Sequence, residues 1–396
     1  MNKNYFSAIV ACVAIAIVSS CSGDKDGSVG VIDIEKGLDN VVSVNLSDYA
    51  SSLSYYSLES DSVLLPAINR STVVDGNVIL TNLRSTTLYV YSNDGKYIKN
   101  LGEKGRARNE YSVAGQLIPE PDSKCLTVWS GDKIVTYSIE TGEFVRALVV
   151  DEIKGFDCGF FGSTVYLGDG NYAIESLDKE ANAENETLVY VDSCGNVTGS
   201  VQLPPPYNSL VQLTKTQVVP NPIKCTIYEY KGAVNVIPGK CDTIFTISDD
   251  MLRPKYVFDY GSLESIGTAK VISDKTFSVG RKYFECDNFI LFDANLPASY
   301  TIYPDSRRVY MIYDKNTKRT STAEYSDKYK MAGFTNDIDR GMPFMPDMVV
   351  DGKMYQFVDA ISFIEAAALT DAPEIKRIAQ TLTETSNPVM IVATLK

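Results

Sequence analysis

The 396-residue chain has no histidine, a single tryptophan and no CxxC pair. Without histidine the commonest general base near neutral pH is missing. Without histidine or paired cysteines, a zinc site lacks its usual ligands. No GxSxG, HExxH, phosphate-binding loop or dinucleotide fingerprint occurs either, so nucleophilic and nucleotide chemistry have no motif behind them. Positive charge is scarce: 37 Lys and Arg against 50 Asp and Glu give a formal charge of −13. Phosphate binding needs a clustered basic surface, which argues against a nucleic-acid partner. An acidic excess serves solubility instead. The N-terminal apolar run, Ile9 to Val18, is too short to span a bilayer.

That run follows Lys3 and ends in Val18-Ser19-Ser20-Cys21. Small residues directly before a cysteine resemble the lipobox of a bacterial lipoprotein signal, which implies cleavage before Cys21 and lipid on its sulfur. The alternative is an ordinary secretory signal with a chance cysteine. The next residues, SGDKDGSVG, suit a flexible tether. Asp24 and Asp26 resemble a weak form of the acidic surface-export signal of Bacteroidetes lipoproteins. The expected organisation is a signal peptide over 1–20, lipidated Cys21 and tether over 21–40, and one domain over 41–396. The expected place is the outer membrane, on its surface or periplasmic face, held through lipid alone. Cys12 leaves with the signal, and Cys125, Cys158, Cys194, Cys225, Cys241 and Cys286 are spread singly, as buried thiols would be. Export permits a disulfide, but the spacing names no pair.

What the chain has in quantity is tyrosine (25) and glycine (26), arranged in a recurring phrase. Leu88 to Leu101 reads strand, tight two-residue turn at Asn93-Asp94-Gly95, strand. With Ile68 to Val74 and Asn77 to Thr81 it makes a four-strand meander. Comparable sets follow, with turn markers near residues 94, 141, 194, 249 and 316, at intervals of 47, 53, 55 and 67. Four strands per unit at such periods are the signature of a propeller. The last set, Val349-Val350 and Met354 to Val358, is interrupted by two helical stretches, Ala360 to Ala368 and Pro373 to Thr383. There Asp371 is placed to cap and Pro373 falls near the first helical position. The final strand, Pro388 to Leu395, has no partner after it, and Leu53 to Leu58 has none beside it. Pairing the two closes the ring and removes an open edge. The expected fold is all-β: a six-bladed β-propeller of four-stranded antiparallel blades, closed by the terminal strands, with a short helical insertion in the last blade. Two stacked β-sandwiches linked at Leu203-Pro204-Pro205-Pro206 are the alternative.

With these elements placed, the chain resembles the six-bladed β-propeller lipoproteins of Bacteroidetes, distantly related to NHL-repeat propellers. The carriers are IDIEKGLDNVVSVNLSD (32–48), LSYYSLES (53–60), YSNDGKYIKNLGEKGRARNEY (91–111), TNDIDRGMPFMPDMVVDGKMYQFVDA (335–360) and NPVMIVATLK (387–396). Relatives have a GxGPGEY-like connection where this chain has Gly105-Arg106-Ala107-Arg108-Asn109-Glu110-Tyr111. Losing a Gly and a Pro there makes the loop more basic. The resemblance implies fold and location and carries no activity.

Propellers bind at the mouth of the central channel, so connections from an outer strand to the next inner strand are the first candidates. Arg106, Arg108 and Tyr111 lie on one such connection. The arginines could grip a carboxylate, sulfate or uronic acid by planar pairing, or pair with acids of the neighbouring blade. Asn336, Asp337, Asp339 and Arg340 form the second candidate. Their oxygens suit Ca²⁺, the one cofactor considered, but an Asx turn explains the pattern equally well. Arg281-Lys282 and Arg307-Arg308 could add positive potential, or stand as ordinary exposed strand positions. Together these features favour a monomeric binding module for a peptide, glycan or envelope protein. A carboxylate-based hydrolase or lyase at the channel is the alternative.

Overall fold

The computed structural model describes residues 28–65, 67–82, 87–153, 162–177, 186–205, 207–212, 218–223, 225–239, 241–263, 277–304 and 306–396. Six antiparallel sheets form six blades. Blade 1 holds Arg70–Val74, Asn77–Thr81, Leu88–Ser92 and Tyr97–Leu101, and blade 2 holds Gln116–Glu120, Cys125–Trp129, Lys133–Ser138 and Phe144–Val149. Blade 3 holds Thr164–Gly168, Asn171–Leu177, Glu186–Val191 and Val197–Gln202. Thr226–Tyr230, Ala233–Ile237, Thr243–Ser248 and Met251–Asp259 build blade 4, and Ser278–Glu285, Phe289–Asn295, Arg308–Asp314 and Arg319–Ala323 build blade 5. Blade 6 combines Met348–Val350, Lys353–Val358 and Val389–Leu395 with Ala50–Ser57 from the other end of the chain. The first strand of each blade is innermost, and those of blades 1 and 2, for example, touch one another.

The core is divided into six apolar clusters, one in each seam between blades. Consecutive residues of one strand serve opposite seams: Ile79 packs toward blade 2, while Val78 and Leu80 pack toward blade 6. A blade buried on both faces needs continuous apolar strands, which explains runs such as Phe289-Ile290-Leu291-Phe292, all buried. Polar ties cross the seams as well. Glu120 of blade 2 is fully buried and accepts from Arg146 at 2.7 Å, from Thr127 and from Tyr172 of blade 3. A buried carboxylate is tolerated because these donors replace its water.

Ring closure occurs as expected: Ala50–Ser57 pairs antiparallel with Val389–Leu395, with Tyr55 opposite Ile391. The chain is folded well before this strand. Gly30–Asp33 adds a fifth, parallel strand to blade 4, Ile34–Asp39 forms a helix, and Val41–Val42 adds a parallel strand to blade 5. Residues 30–39 fall within the stretch expected as tether. They fold because Ile32, Ile34 and Leu38 are buried in the seam of blades 4 and 5 and Asp33 caps the helix by accepting from the Lys36 N–H.

Two local expectations are corrected. The Asn93-Asp94-Gly95 turn is longer than two residues: the Gly95 N–H donates to Ser92 O, Gly95 takes φ +89°, and the register shifts beside Tyr91. This is a turn with a glycine bulge, and blade 3 repeats it at Gly195. The second insertion helix spans Pro373–Ala379, with Ala372 rather than Asp371 at its N-cap. Asp371 lies one residue too early to cap and instead pairs with Lys376 at 2.9 Å. Phe363 and Ile375 of the two helices are buried in the cluster between blades 5 and 6. Cys125, Cys194, Cys225, Cys241 and Cys286 are free thiols, and Cys12, Cys21 and Cys158 lie outside the described residues.

Asn387 locks the closure. Its buried side chain accepts from the Leu65 N–H at 2.7 Å and donates to Glu59 O and Val63 O at 2.5 and 2.7 Å. The segment leading into the final strand is thereby tied to the chain that runs from blade 6 to blade 1. Asn387→Ala leaves three backbone groups without these partners, so we expect a loss of about 3 kcal/mol or more. A lower urea midpoint at unchanged slope would show it.

Candidate functional site

The inner strands of all six blades surround a cavity of about 820 Å³ at the end where they turn back toward the second strands. Four of these turns are two-residue pairs with positive φ at both positions: Asp75-Gly76, Asp169-Gly170, Lys231-Gly232 and Asp351-Gly352. Such tight turns match the strand twist and bring the strand ends close to the axis. The lining carries Tyr49, Tyr166, Tyr228 and Tyr230, and each phenol donates to a carboxylate. Tyr49 reaches Asp314 at 3.0 Å, Tyr166 reaches Asp122 at 2.6 Å, Tyr228 reaches Glu285 at 2.8 Å and Tyr230 reaches Asp287 at 2.9 Å. These bonds fix the rings in place. The Tyr166 hydrogen bond, with the backbone N–H of Asp169, holds Asp122 below the usual carboxylate range, and burial with Asp122 pushes Tyr166 up to about 12.

Between blades 4 and 5 this mouth runs into a charged crevice. Glu285 is buried and takes Lys255 at 2.8 Å and Lys315 at 2.9 Å. Burial opposes its charge, but the two lysines outweigh burial and keep its carboxyl below the ordinary value. Both ammonium groups also lie against the Tyr230 ring, 4.7 and 4.6 Å from its centroid. Around the wider rim Asp75 pairs with Lys124 at 3.2 Å and Asp287 with Lys231 at 3.0 Å. Glu229 and Asp351 also belong to the lining, so the mouth is acidic and rich in tyrosine.

A second cavity, of about 600 Å³, opens where the inner strands begin, lined by Arg70 with its neighbours Asn69 and Ser71, by Gln116, Lys282, Asp347 and Asp359, and by apolar side chains. None of the sequence candidates whose side chains are described lines either cavity, apart from Lys282 at the second. Arg108 pairs with Glu152 at 2.5 Å beside the outer strand of blade 2, and Arg106 is exposed on the same loop. Tyr111 is buried under the loop, its hydroxyl donating to Leu101 O at 3.3 Å. Arg281 lies on the inner strand of blade 5 beside Lys282. Asn336, Asp337, Asp339 and Arg340 come together, but around the N-terminal strap, the stretch from Gly30 to Ser57 that pairs in turn with blades 4, 5 and 6. Asp337 accepts from Ser47 N at 2.9 Å, and Asp339 accepts from Tyr55 at 2.6 Å, from Asn336 at 2.7 Å and from Gly341 N at 3.0 Å. Arg340 adopts φ +65° and offers its carbonyl to Thr370. Among the described residues no group of three or more His, Cys, Asp or Glu is placed to hold a metal ion. Sequence reasoning missed the tyrosines of the mouth. The repeated Asp-Gly and Lys-Gly pairs at 75, 169, 231 and 351 were the available signal.

A closed ring of six four-stranded blades with a cavity at each end of its axis defines the class: a six-bladed β-propeller. The chain belongs to the family described as "Domain of unknown function (DUF4934)", which matches residues 29–394. Among solved structures it is similar to one titled "Putative exported protein" from Bacteroides fragilis, at 15% identity and a TM-score of 0.66 over 93% of this chain and 100% of that one. A member of the DUF4221 family from Bacteroides vulgatus has 12% identity and a TM-score of 0.47, over 88% and 97%. A structural genomics protein of unknown function from Bacteroides thetaiotaomicron has 10% identity and a TM-score of 0.43, over 90% and 76%. No curated protein matches the chain. Among the described residues no helix is long and apolar enough to cross a membrane.

One more acidic feature lies off the axis. Glu186 is fully buried between blades 3 and 4, where it accepts from the Cys225 N–H at 2.7 Å. Burial, reinforced by the neighbouring Glu175, raises its carboxyl to about 9. A carboxyl near 4.3 when unfolded and raised when folded favours the fold fully at low pH. That contribution is lost as pH rises from about 4 through the folded value. Glu186→Gln removes the titration, so we expect the variant to lose less stability than wild type between about pH 5 and about pH 9. At about pH 8 it should be the more stable by about 1 kcal/mol or more, read from urea midpoints across that range.

Proposed function

We propose that this protein is an exported envelope propeller, anchored by lipid on Cys21, that binds an uncharged glycan fragment at the tyrosine-lined mouth without transforming it. The observation that carries the reading is the set of four tyrosine–carboxylate pairs around one 820 Å³ cavity. Sugar rings offer C–H faces to aromatic surfaces and hydroxyl donors to carboxylates, which only accept. A cavity of this size takes a ligand of a few rings, and the acidic lining disfavours a polyanion. The lipobox-like Val18-Ser19-Ser20-Cys21 and the similarity to a protein titled as exported support the location.

Calorimetric titration of the purified chain with neutral oligosaccharides tests the binding. Tyr166→Ala and Tyr230→Ala should each weaken it about tenfold, by removing roughly 1.4 kcal/mol of stacking and polar contact, with circular dichroism unchanged. Preference for polyanionic glycans, or indifference to both substitutions, would overturn the reading. For the anchor, Cys21→Ser should abolish incorporation of a labelled fatty acid in cells.

A further inference from the structure

The second cavity contains an arginine that the fold does not explain. Arg70 begins the inner strand of blade 1, and its Nε is buried without a hydrogen-bond partner. Burial alone holds its guanidinium below the ordinary value, with no acidic group offsetting it. The other charges of the lining are occupied. Lys282 donates to Pro346 O at 2.7 Å and lies 3.5 Å from Asp347. The second oxygen of Asp347 accepts from the Phe357 N–H at 2.9 Å. Asp359 accepts from the Ser362 N–H and caps the first insertion helix. Gln116 is committed to blade 3, donating to Thr164 O at 2.8 Å and accepting from Thr164 N at 3.0 Å. A partly desolvated cation with an unused donor is costly unless something completes it.

We propose that this mouth binds a carboxylate on the Arg70 guanidinium, with the ligand's apolar body lying against Ile68, Leu117 and Phe357. Those three side chains are half-buried in the same lining. The planar fork matches a carboxylate in two parallel bonds, and the paired Lys282 and Asp347 beside it leave little extra positive field for a multiply charged anion. Two sources share this chemistry: a free carboxylic acid and the C-terminus of an apolar peptide. Gln116 and Leu117 line both cavities, but Arg70, Ile68 and Phe357 line only this one and the tyrosines only the other, so the site stands or falls separately from the glycan reading.

The test is titration of the full chain with hexanoate, with a short leucine-rich peptide bearing a free C-terminus, and with the same peptide amidated. Inorganic phosphate and sulfate serve as competitors. Binding of hexanoate, the free peptide or both, no binding of the amidated peptide, and at least a tenfold loss in Arg70→Gln are expected. Hexanoate alone would identify a small acid, and the peptide alone a chain terminus. Arg70→Lys, which keeps the charge without the fork, should show a smaller loss. Unliganded Arg70→Gln should melt no lower than wild type, whereas an arginine serving only the fold would lower the melting point. Neutral-oligosaccharide binding should be unchanged in the variant. Failure of every carboxylate to bind at millimolar concentration, tighter binding of phosphate or sulfate, or equal carboxylate binding by Arg70→Gln would each overturn the proposal.

Discussion

Everything in this molecule depends on the pairing of Ala50–Ser57 with Val389–Leu395. A blade buried on both faces cannot stand alone, because each strand sends alternate side chains into two different seams. Remove one blade contact and two apolar faces meet water at once, at about 25 cal/mol for each Å² exposed. The terminal pairing turns a row of blades into a ring without ends. The helical insertion then covers the closing blade with Phe363, Ile375 and Ile378, and Asn387 fixes the path by which the chain re-enters it.

The same ring determines where ligands can meet the protein. With the seams filled by side chains, the axis is where backbone ends from all six blades converge. The two ends differ in chemistry because they differ in construction. One is built from tight Asp-Gly and Lys-Gly turns and collects tyrosines held by carboxylates. The other is built where strands enter, and leaves Arg70 beside apolar side chains. Loops that cross between blades differ in what they reach: the one entering blade 1 supplies Ile68 to the second mouth, whereas the one from blade 1 to blade 2 lines neither. Lys133 donates to the carbonyl of Ala107 and thereby holds one such loop against blade 2.

The architecture was legible because it repeats. Periodic turn glycines and short apolar-rich strands are sufficient to count blades, and two partnerless terminal strands are sufficient to close them. The site was not legible to the same degree. Arg106 and Arg108 stand out in an acidic sequence, yet their loop is held over the outer strand of blade 2. The contact between Asp337 and Ser47 spans 290 positions, which no local pattern displays. Arg70 is the converse case: in sequence it is an ordinary polar strand opener, and only the assembled ring removes its water. The strand at Gly30–Asp33 escaped notice because a four-residue segment has too few alternations to separate from a tether.

The N-terminal strap also sets an order of events. Ser51 meets Thr394, a partner 343 positions further on, in the strand of the ring that is synthesised last. Until then the outer position of blade 6 is vacant and Ala50–Ser57 has no strand to pair with. Only a polypeptide carrying both ends of the ring can therefore reach the native state, and a product cut short within it keeps unpaired strands. Such high contact order slows folding. For a chain exported as proposed above, slowness is compatible with passage through a membrane before the ring shuts. Closure then becomes the step at which a complete molecule is distinguished from a fragment.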